Sequence, residues 1–598
     1  MTTFHPVYAS EHPLAAGLSA LAECFPQRFS SGGRRVVFSQ AANGLAVVSR
    51  TPEEVEVAYA RPSDAFRALG LLLAGEENVR EESPFSTVGV MLDLSRNAVI
   101  RPAVYPLLFA RLALMGVNCV FLYMEDTYQL PEEPFFGYGR GAYSPDELRQ
   151  IDECAARFGI EVIPCIQTLG HLEQILQWPA YRPVAETHSV LRVDNTATET
   201  LIGKMLDTLA GCFRSRRIHI GMDEAWGLGS SRALRECDPF ALFSAHLAKV
   251  GAMCRERGLE PMIWSDMYFR LGSATGDYYD REASIPAGIK IPENVSLVYW
   301  DYYHTDPAFY REWIRRHRAL GKEPLFAAGA WTWGRLWTHL PRAMSTIAAG
   351  MEAARSEGVK EVFLTLWGDD GTECEPGSML AAVQFFAEQA YTGTACDGRL
   401  QRLFAATCGG DFEGVVLGSR IDRVFPGNDP DDYANYGKWI LWHDPVTAFL
   451  QIPEHLPAHY EQLASALEAR NAEFAALLAR ALALKSQIHL ETKRRYREKN
   501  RPALEHLLND TLPRCIGAVE ALWQRHRTLW HEWYKPFGWE VLEYRYAGVL
   551  ARLHHLQTLL KRHLQNPAEP VEAFEAETTA PGPAYLRYGR ASSPSVCR

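Results

Sequence analysis

The sequence has no apolar run approaching the roughly 20 residues of a membrane-spanning helix, although 47% of its 598 residues are hydrophobic. Its N-terminus lacks a basic segment followed by an apolar one, so we expect no secretory signal peptide. Positive charge is not in excess either. The formal net charge is −11, which argues against binding to nucleic acid or to an anionic membrane through bulk charge. We therefore expect a soluble globular protein with neither kind of partner.

Paired cysteines and the common cofactor motifs are also missing. The 12 cysteines are scattered, without a C-x-x-C pair, which indicates neither a zinc site nor a disulfide framework and favours free thiols in a cytoplasmic protein. There is no phosphate-binding loop, no dinucleotide-binding glycine motif and no H-E-x-x-H pair. We expect no metal and no cofactor. The sequence leaves the oligomeric state open, a homodimer included.

Eight short apolar runs, mostly β-branched, follow one another between residues 86 and 395. Amphipathic helical stretches lie between them, for example 103–115 and 239–257. This alternation of strand and helix predicts a (β/α)8 TIM barrel, whose functional side chains lie at the C-terminal ends of the strands. The eight runs are 88–94, 118–124, 160–166, 217–222, 260–265, 296–301, 323–330 and 361–367.

The segments on either side predict two further domains. Residues 1–85 contain strand-like runs and one helical pattern, which indicate a small α+β domain. Residues 396–598 contain long helical patterns and predict a mainly helical C-terminal domain with a partly irregular, Pro-rich tail. The N-terminal patterns are 36–39, 45–50, 55–60 and the helix 62–74; the C-terminal ones are a turn at 426–432 and helices 457–497, 514–534 and 539–565.

The fourth run leads into an adjacent carboxylate pair, Asp223–Glu224, with Trp226 just beyond it. Two neighbouring carboxylates raise each other's pKa, so one of them can keep its proton near neutral pH. A general acid needs that protonated state. The alternative is that the pair caps the start of a helix.

This stretch resembles the signature of glycoside hydrolase family 20, the β-N-acetylhexosaminidases, through His219, Gly221, Asp223 and Glu224 at a strand end. The resemblance covers the barrel well and the N-terminal domain loosely, and the helical C-terminal domain resembles that of a bacterial exo-hexosaminidase branch. It implies a retaining enzyme that removes terminal β-linked GlcNAc or GalNAc from a small oligosaccharide or glycoconjugate. In that family the 2-acetamido oxygen of the substrate is the nucleophile and an oxazolinium intermediate forms.

The resemblance also implies the catalytic roles. Glu224 would be the general acid and then the base, and Asp223 would orient the acetamide and stabilise the charge on its nitrogen. The family uses a carboxylate–histidine pair beside the acid. His171, after the third run, with Glu125 or Asp126, after the second, would form that pair.

Sugar-binding residues are implied in the same way. Arg96 offers a planar fork of donors suited to two neighbouring hydroxyls, although a salt bridge at the barrel top is an alternative. Asp369, and more weakly Asp301, match acidic residues for outer hydroxyls. Tyr302 or Tyr299 would hydrogen-bond the acetamide oxygen, and strand alternation does not decide between them. The tryptophans expected to enclose the acetamide are Trp264, Trp333 and Trp367.

Two other functions remain open from the sequence. One is a different retaining β-glycosidase, with Asp301 or Asp369 as a protein nucleophile about 5 Å from the acid. The other is a barrel that binds amino sugars without hydrolysing them, which the intact carboxylate pair argues against. The preference for GlcNAc or GalNAc and the natural substrate are not encoded in any motif that we identify.

Overall fold

The computed structural model describes residues 2–232, 234–286, 288–425 and 434–577. The predicted turn at 426–432 and the end of the predicted irregular tail lie outside the described residues. Within the described residues no helix is long and apolar enough to span a membrane.

The chain begins with a five-stranded sheet and two helices. The elements are β1 (Phe4–Val7), α1 (Ala15–Cys24), β2 (Arg34–Gln40), β3 (Leu45–Thr51), β4 (Glu54–Tyr59), α2 (Pro62–Leu73) and β5 (Val79–Glu81). The strand order in the sheet is β1-β2-β4-β3-β5, and α2 packs on β3 and β4. The predicted α+β layer is confirmed. The sequence patterns missed β1, α1 and β5; β1 contains a proline and β5 has only three residues, so neither shows strand alternation.

Eight parallel strands then close into a barrel, which confirms the predicted TIM-barrel architecture. Each strand lies within one of the eight apolar runs or begins one residue before it. The strands are β6 (Thr87–Asp93), β7 (Cys119–Tyr123), β8 (Glu161–Cys165), β9 (Arg217–His219), β10 (Glu260–Trp264), β11 (Ser296–Trp300), β12 (Leu325–Gly329) and β13 (Glu361–Leu366).

Helices surround the barrel. Several begin at side-chain caps that the sequence supplies: Ser144 forms a reciprocal capping box with Glu147, and Asp238 accepts hydrogen bonds from the first turn of its helix. The helices are α3 (Tyr105–Met115), α4 (Pro145–Arg157), α5 (Glu173–Leu176), α6 (Thr196–Ala210), α7 (Pro239–Glu256), α8 (Asp266–Gly272), α9 (Pro307–Ala319), α10 (Leu340–Ser356) and α11 (Pro376–Thr392).

The barrel interior is filled by side chains from its strands, among them Met91, Phe121, Ile163, Val298 and Phe363. The opposite faces of the same strands pack on the surrounding helices. Because both faces are buried, the strands are continuous apolar runs and not alternating ones. Tyr123, Trp264, Trp300 and Trp367 cover this interior at the C-terminal ends of the strands.

The rest of the described chain is helical, as predicted. Its helices are α12 (Asp397–Cys408), α13 (Phe412–Gly418), α14 (Tyr436–Trp442), α15 (Leu456–Glu468), α16 (Glu473–Arg497), α17 (Arg501–His506), α18 (Leu512–Trp533), α19 (Trp539–Gln565) and α20 (Glu572–Glu575). The prediction of one helix over 457–497 is wrong. The helix breaks into α15 and α16 near Asn471, whose φ of 57° a continuous helix does not allow.

Candidate active site

A pocket opens at the C-terminal ends of the barrel strands, where a TIM barrel carries its functional residues. It brings together most of the residues singled out in the sequence, together with two aromatic residues that were not. The lining residues are Arg96, His171, Asp223, Glu224, Trp264, Trp300, Tyr302, Tyr303, Trp333, Trp367 and Asp369.

The carboxylate pair lies on an irregular segment that continues β9 and not at the start of a helix, so the helix-cap alternative does not hold. Met222 and Glu224 have φ of 73° and 45°, a conformation that non-glycine residues adopt at a cost and that concentrates at functional sites. Gly221 also has positive φ, and a Cβ there would lie 2.1 Å from the Gln167 side-chain oxygen. Glycine is therefore required at this position.

Asp223 is held on both sides. Its Oδ1 accepts a hydrogen bond from Gln167 Nε2 at 2.7 Å, and its Oδ2 lies 3.2 Å from His171 Nε2. Burial by itself raises the pKa of Asp223, but the charge of His171 and the hydrogen bonds from His171 and Gln167 outweigh burial and lower the pKa. The sequence-based expectation that the two carboxylates raise each other's pKa is therefore wrong for Asp223, which stays ionised.

Glu224 is more exposed than Asp223, with 34% of its side chain accessible. Its Oε1 accepts a hydrogen bond from the Tyr278 hydroxyl at 3.2 Å, and its Oε2 lies 3.4 Å from His171 Nε2. Tyr278 also packs edge-on against Trp226 and Trp300. An aromatic group thus fixes one oxygen of the carboxyl while the other faces the pocket beside the histidine.

A third carboxyl group, Asp266 at the start of α8, lies behind the pair. Its Oδ2 accepts the backbone N–H of Glu224 at 3.1 Å, and its Oδ1 lies 3.4 Å from Trp300 Nε1. Burial first, and then the charges of Asp223 and Glu224, raise the pKa of Asp266 well above its usual value. Near neutral pH the protonated form of Asp266 is therefore favoured.

His171 does not form the predicted pair with Glu125 or Asp126. Its partners are Asp223 and Glu224, because its φ of 52° turns the residue back toward the loop after β9. Asp126 is buried and pairs with Arg140 at 3.0 Å. Burial lowers the pKa of His171, but Asp223 reverses that effect and raises it well above 6.5, which favours the imidazolium.

Glu125 is buried and lies 3.3 Å from Arg96. Burial raises its pKa to about 7, against the opposing charges of Arg96 and His171. The folded state therefore binds an extra proton between pH 4.5 and 7, so the free energy of unfolding falls as pH rises through that window.

We expect Glu125→Gln to remove this dependence. Between pH 4 and 8 the free energy of unfolding of the wild type should fall relative to the variant by on the order of 3 kcal/mol. Urea unfolding at both pH values measures it. The exposed Glu23→Gln control should follow the wild type, and parallel pH profiles for wild type and Glu125→Gln would contradict the assignment.

His219, part of the signature, is a neutral packing residue. It is fully buried, its ring lies 4.5 Å from that of Trp264, and its Nδ1 accepts the backbone N–H of Gly221 at 3.1 Å. Burial lowers its pKa to about 3. The imidazole therefore shapes the segment that carries the carboxylate pair and does not transfer protons at neutral pH.

Tryptophans and a tyrosine form the base and wall of the pocket. Trp264 is at the bottom, with its ring centroid 5.9 Å from that of Trp367. Trp367 Nε1 donates a hydrogen bond of 3.1 Å to the Tyr302 hydroxyl. Gly329 makes room for Tyr302, because a Cβ at Gly329 would lie 2.7 Å from its ring.

Two of the proposed sugar-binding residues lie outside the pocket. Tyr299 faces the helices, 5.0 Å from the ring of His317, and its hydroxyl donates to Asp301. Asp301 is fully buried and also accepts hydrogen bonds from the Tyr303 backbone and from His304. These contacts hold the turn after β11. The structure therefore favours Tyr302 over Tyr299 as the tyrosine that faces a bound acetamide, and Asp301 does not line the pocket.

Arg96 lies at the opposite wall, over the rings of Tyr123 and Trp367. Its guanidinium is 3.5, 3.3 and 3.3 Å from carboxylate oxygens of Asp93, Glu125 and Asp369. Arg96 therefore forms salt bridges at the top of the barrel, which was the alternative to sugar binding, and it also lines the pocket. Asp369 keeps 43% of its side chain accessible beside it.

Four residues at the site have no role in the sequence-based predictions. Gln167 directly follows the third run and Asp266 directly follows the fifth, so position alone could have found them. Trp300 lies two residues after Val298 on β11, so its side chain lies on the same interior face of the barrel. Tyr278 belongs to the long loop after α8 and has no local signal. Among the described residues no cluster of three or more His, Cys, Asp or Glu could hold a metal ion.

Two family models match the chain. The model for the glycosyl hydrolase family 20 catalytic domain matches residues 85–304, and the model for the glycoside hydrolase 20C C-terminal domain matches residues 418–585. Together they cover more than half of the chain, and each falls on the part of the structure that its description leads one to expect.

The chain is also similar to curated relatives. It is 28% identical to hexosaminidase D of Homo sapiens over 232 residues, which is 37% of this chain and 46% of that protein. It is 29% identical to hexosaminidase D of Bos taurus over 212 residues, 33% of this chain and 57% of that protein. The chain thus spans about half the length of these relatives.

Solved structures share the fold. The chain resembles an exo-β-N-acetylglucosaminidase of Vibrio harveyi with a TM-score of 0.51 and 14% identity, over 70% of this chain and 74% of that one. It resembles a mutant β-hexosaminidase of Streptomyces plicatus, solved with GlcNAc, with a TM-score of 0.52 and 17% identity, over 68% and 92% of the two chains. With both family models matched and the barrel formed around the signature residues, the chain belongs to glycoside hydrolase family 20.

Proposed function

We propose that the protein is a retaining exo-β-N-acetylhexosaminidase, which removes terminal non-reducing β-linked GlcNAc or GalNAc with the help of the substrate's own 2-acetamido group. The names of the relatives and the product bound to the Streptomyces plicatus enzyme support this substrate class. Family membership supports the reaction type.

One observation carries the proposal: an ionised Asp223 and a more exposed Glu224 share His171 beside a pocket built of tryptophans. Adjacent carboxylates on one segment are poorly placed to flank a glycosidic bond as acid and protein nucleophile. They are well placed to act together on a substrate that brings its own nucleophile. Holding that nucleophile near the anomeric carbon exploits the large effective molarity of oriented intramolecular reactions.

In the first step the acetamide oxygen attacks the anomeric carbon while Glu224 protonates the departing oxygen. Asp223 accepts the acetamide N–H and stabilises the positive charge that develops on the nitrogen. The Tyr302 hydroxyl donates to the acetamide oxygen and fixes its direction. Burial raises the pKa of Tyr302 well above its usual value, so the donor stays protonated.

In the second step Glu224, now a carboxylate, removes a proton from water as the water attacks the anomeric carbon and opens the oxazolinium ring. The two displacements retain the β configuration. His171, favoured as an imidazolium, keeps Asp223 ionised in both steps and lies within reach of Glu224.

The alternative with a protein nucleophile loses one of its two candidates, because Asp301 is fully buried in contacts with its own turn. The other candidate, Asp369, pairs with Arg96 and is better suited to binding hydroxyls. A barrel that only binds amino sugars has no need of two adjacent carboxylates that share His171.

The substrate assay separates these functions. Nitrophenyl β-GlcNAc and β-GalNAc should be hydrolysed, and the corresponding β-glucoside, which lacks the acetamide nucleophile, should be turned over at least about 1,000-fold more slowly. Comparable turnover of the glucoside would favour a protein nucleophile. Absence of turnover with retained GlcNAc binding would favour the binding module.

A further prediction concerns His171. His171→Ala should lower kcat about 100-fold with a modest change in melting temperature. The acid limb of the pH–rate profile should move to higher pH, because the charge and hydrogen bond of His171 no longer oppose the effect of burial on the pKa of Asp223. His246, a buried histidine that bonds the Thr168 carbonyl, provides the control His246→Ala, with kcat near wild type. An unchanged kcat in His171→Ala would reduce His171 to a packing role.

We also propose a cytoplasmic location, supported by the free state of all cysteines in the described part of the chain. For the substrate we propose a small oligosaccharide or glycoconjugate, which family membership supports. The proposal leaves the oligomeric state open, a homodimer included.

A further inference from the structure

The loop that follows the last barrel strand, residues 367–375, has an unusual backbone. It brings Trp367 and Asp369 to the pocket. The next three residues, Asp370, Gly371 and Thr372, have φ of 66°, 109° and 54°. Left-handed conformations at non-glycine residues are unfavourable and persist only where surrounding contacts enforce them.

Those contacts come from the C-terminal helices. Lys438, on α14, places its Nζ 3.0 Å from an oxygen of Asp370 and 2.9 Å from an oxygen of Glu373. Arg545, on α19, donates from Nη1 to the Asp370 carbonyl at 2.7 Å and to the other oxygen of Glu373 at 2.5 Å. Two helices of a different domain thus clamp both ends of the left-handed segment.

The clamp is buried. The side chains of Lys438 and Glu373 have no accessible surface, and Trp442 Nε1 also donates to Glu373 at 2.7 Å. Burial would raise the pKa of Glu373, but Lys438 and Arg545 outweigh it and keep the carboxylate ionised. A buried ion pair is a weak source of net stability, although removing one partner is costly. Its presence here is better explained by the geometry that it imposes on the loop.

That geometry reaches the sugar site through Asp369 and Arg96. Asp369 lies 3.3 Å from Arg96, and the Thr372 hydroxyl donates to the Arg96 carbonyl at 2.6 Å. The backbone of Asp369 is fixed from the other side, because its carbonyl accepts the N–H of Gly334 at 3.1 Å. A displacement of the loop would therefore move both residues that face the outer hydroxyls of a bound sugar.

We propose that Lys438 and Arg545 are positioning residues for sugar recognition: they hold the 367–375 loop so that Asp369 and Arg96 engage the outer hydroxyls. The C-terminal helical domain thereby sets the choice between GlcNAc and GalNAc, which differ only in the orientation of one of these hydroxyls. The inference rests on the proposed hexosaminidase function.

The test uses the full-length protein and Lys438→Met, which removes the charge and keeps most of the side-chain volume. KM for nitrophenyl β-GlcNAc should rise about tenfold while kcat stays within about threefold, because Asp223 and Glu224 are untouched. The ratio of kcat/KM for β-GlcNAc to that for β-GalNAc should change as well.

Two comparisons separate positioning from general loosening. If Lys438 acts through Asp369, the double variant Lys438→Met/Asp369→Asn should have the KM of Asp369→Asn alone, whereas independent effects multiply. Lys485 is a second buried lysine of the helical domain, bonded to the carbonyls of Leu441 and His443. Lys485→Met should lower the melting temperature and keep the wild-type KM and selectivity.

Wild-type turnover of the two nitrophenyl glycosides tests the proposed function by itself, and an inactive wild type would overturn both conclusions. With an active wild type, the inference is overturned if Lys438→Met keeps KM and selectivity, if its effect multiplies with that of Asp369→Asn, or if Lys485→Met changes KM equally. If Lys438→Met does not fold, Arg545→Gln carries the same test, with Arg552→Gln on the same helix as its control.

Discussion

Glu224→Gln should be about 1,000-fold or more slower than wild type on a glycoside whose leaving group is a sugar alkoxide. The alkoxide departs only when it is protonated, and an amide has no proton of suitable acidity to give. With a nitrophenyl glycoside the first step should be much less affected, because nitrophenolate leaves without protonation. Pre-steady-state rates on both substrate types measure the difference.

The structure offers a control for this prediction. Glu173 lines the polar cavity next to the pocket together with Glu224, and Glu173→Gln should keep near wild-type rates on both substrates. External azide should rescue the second step of Glu224→Gln with the nitrophenyl substrate, because an anionic nucleophile needs no general base. Equal losses on both substrate types would contradict the role of Glu224 as the acid.

Asp223→Asn should slow both substrate types similarly, by about 100- to 1,000-fold. Asp223 acts on the acetamide and not on the leaving group, so its loss carries no leaving-group dependence. Asparagine keeps the shape and the contact with Gln167 but removes the charge that faces the oxazolinium nitrogen. A thiazoline analogue of the cyclised intermediate should therefore bind more weakly to this variant, as calorimetry would measure.

The two variants together separate the two roles. If Asp223→Asn shows the leaving-group dependence and Glu224→Gln does not, the roles are reversed. If neither variant loses more than about tenfold, roughly 1.4 kcal/mol of barrier, the pair is not the catalytic centre. His171 keeps Asp223 ionised, so its removal should resemble Asp223→Asn and not Glu224→Gln.

The barrel could be predicted from the sequence because its strands are buried on both faces, which makes them continuous apolar runs that no surface helix imitates. Elements without that signature were missed. β5 has three residues, and β1 contains a proline. The break near Asn471 was missed because apolar residues recur at helical spacing on both sides of it. The predicted domain boundaries at 85/86 and 395/396 remain predictions.

The part of the site that could be predicted consists of residues at or just after the ends of strands. Asp223, Glu224, Arg96 and Trp367 were found this way, since parallel strands deliver their C-terminal ends to one edge. What sequence cannot supply is the direction of a side chain in an irregular loop. His171 illustrates this: its positive φ turns it to the carboxylate pair, whereas chain order suggested the neighbouring strand.

The protonation states of the carboxyl groups were the second feature that the sequence did not predict. Adjacent carboxylates in a sequence suggest mutual repulsion, but the outcome depends on partners that arrive from other strands. His171 and Gln167 lower the pKa of Asp223. Burial and the charges of Asp223 and Glu224 raise the pKa of Asp266. The assembled barrel shows that Asp223 and Asp266 shift in opposite directions, which chain adjacency does not predict.

If the substrate's acetamido oxygen is the nucleophile, the electron density on that oxygen should control the rate. Nitrophenyl β-GlcNAc is compared with its N-monofluoroacetyl, N-difluoroacetyl and N-trifluoroacetyl analogues, in which fluorine progressively withdraws electrons from the acyl oxygen while changing its size little. We expect kcat/KM to fall stepwise along the series, by more than about 100-fold at the trifluoroacetyl member. Equal kcat/KM across the four substrates would contradict it and return the nucleophile to a side chain of the protein.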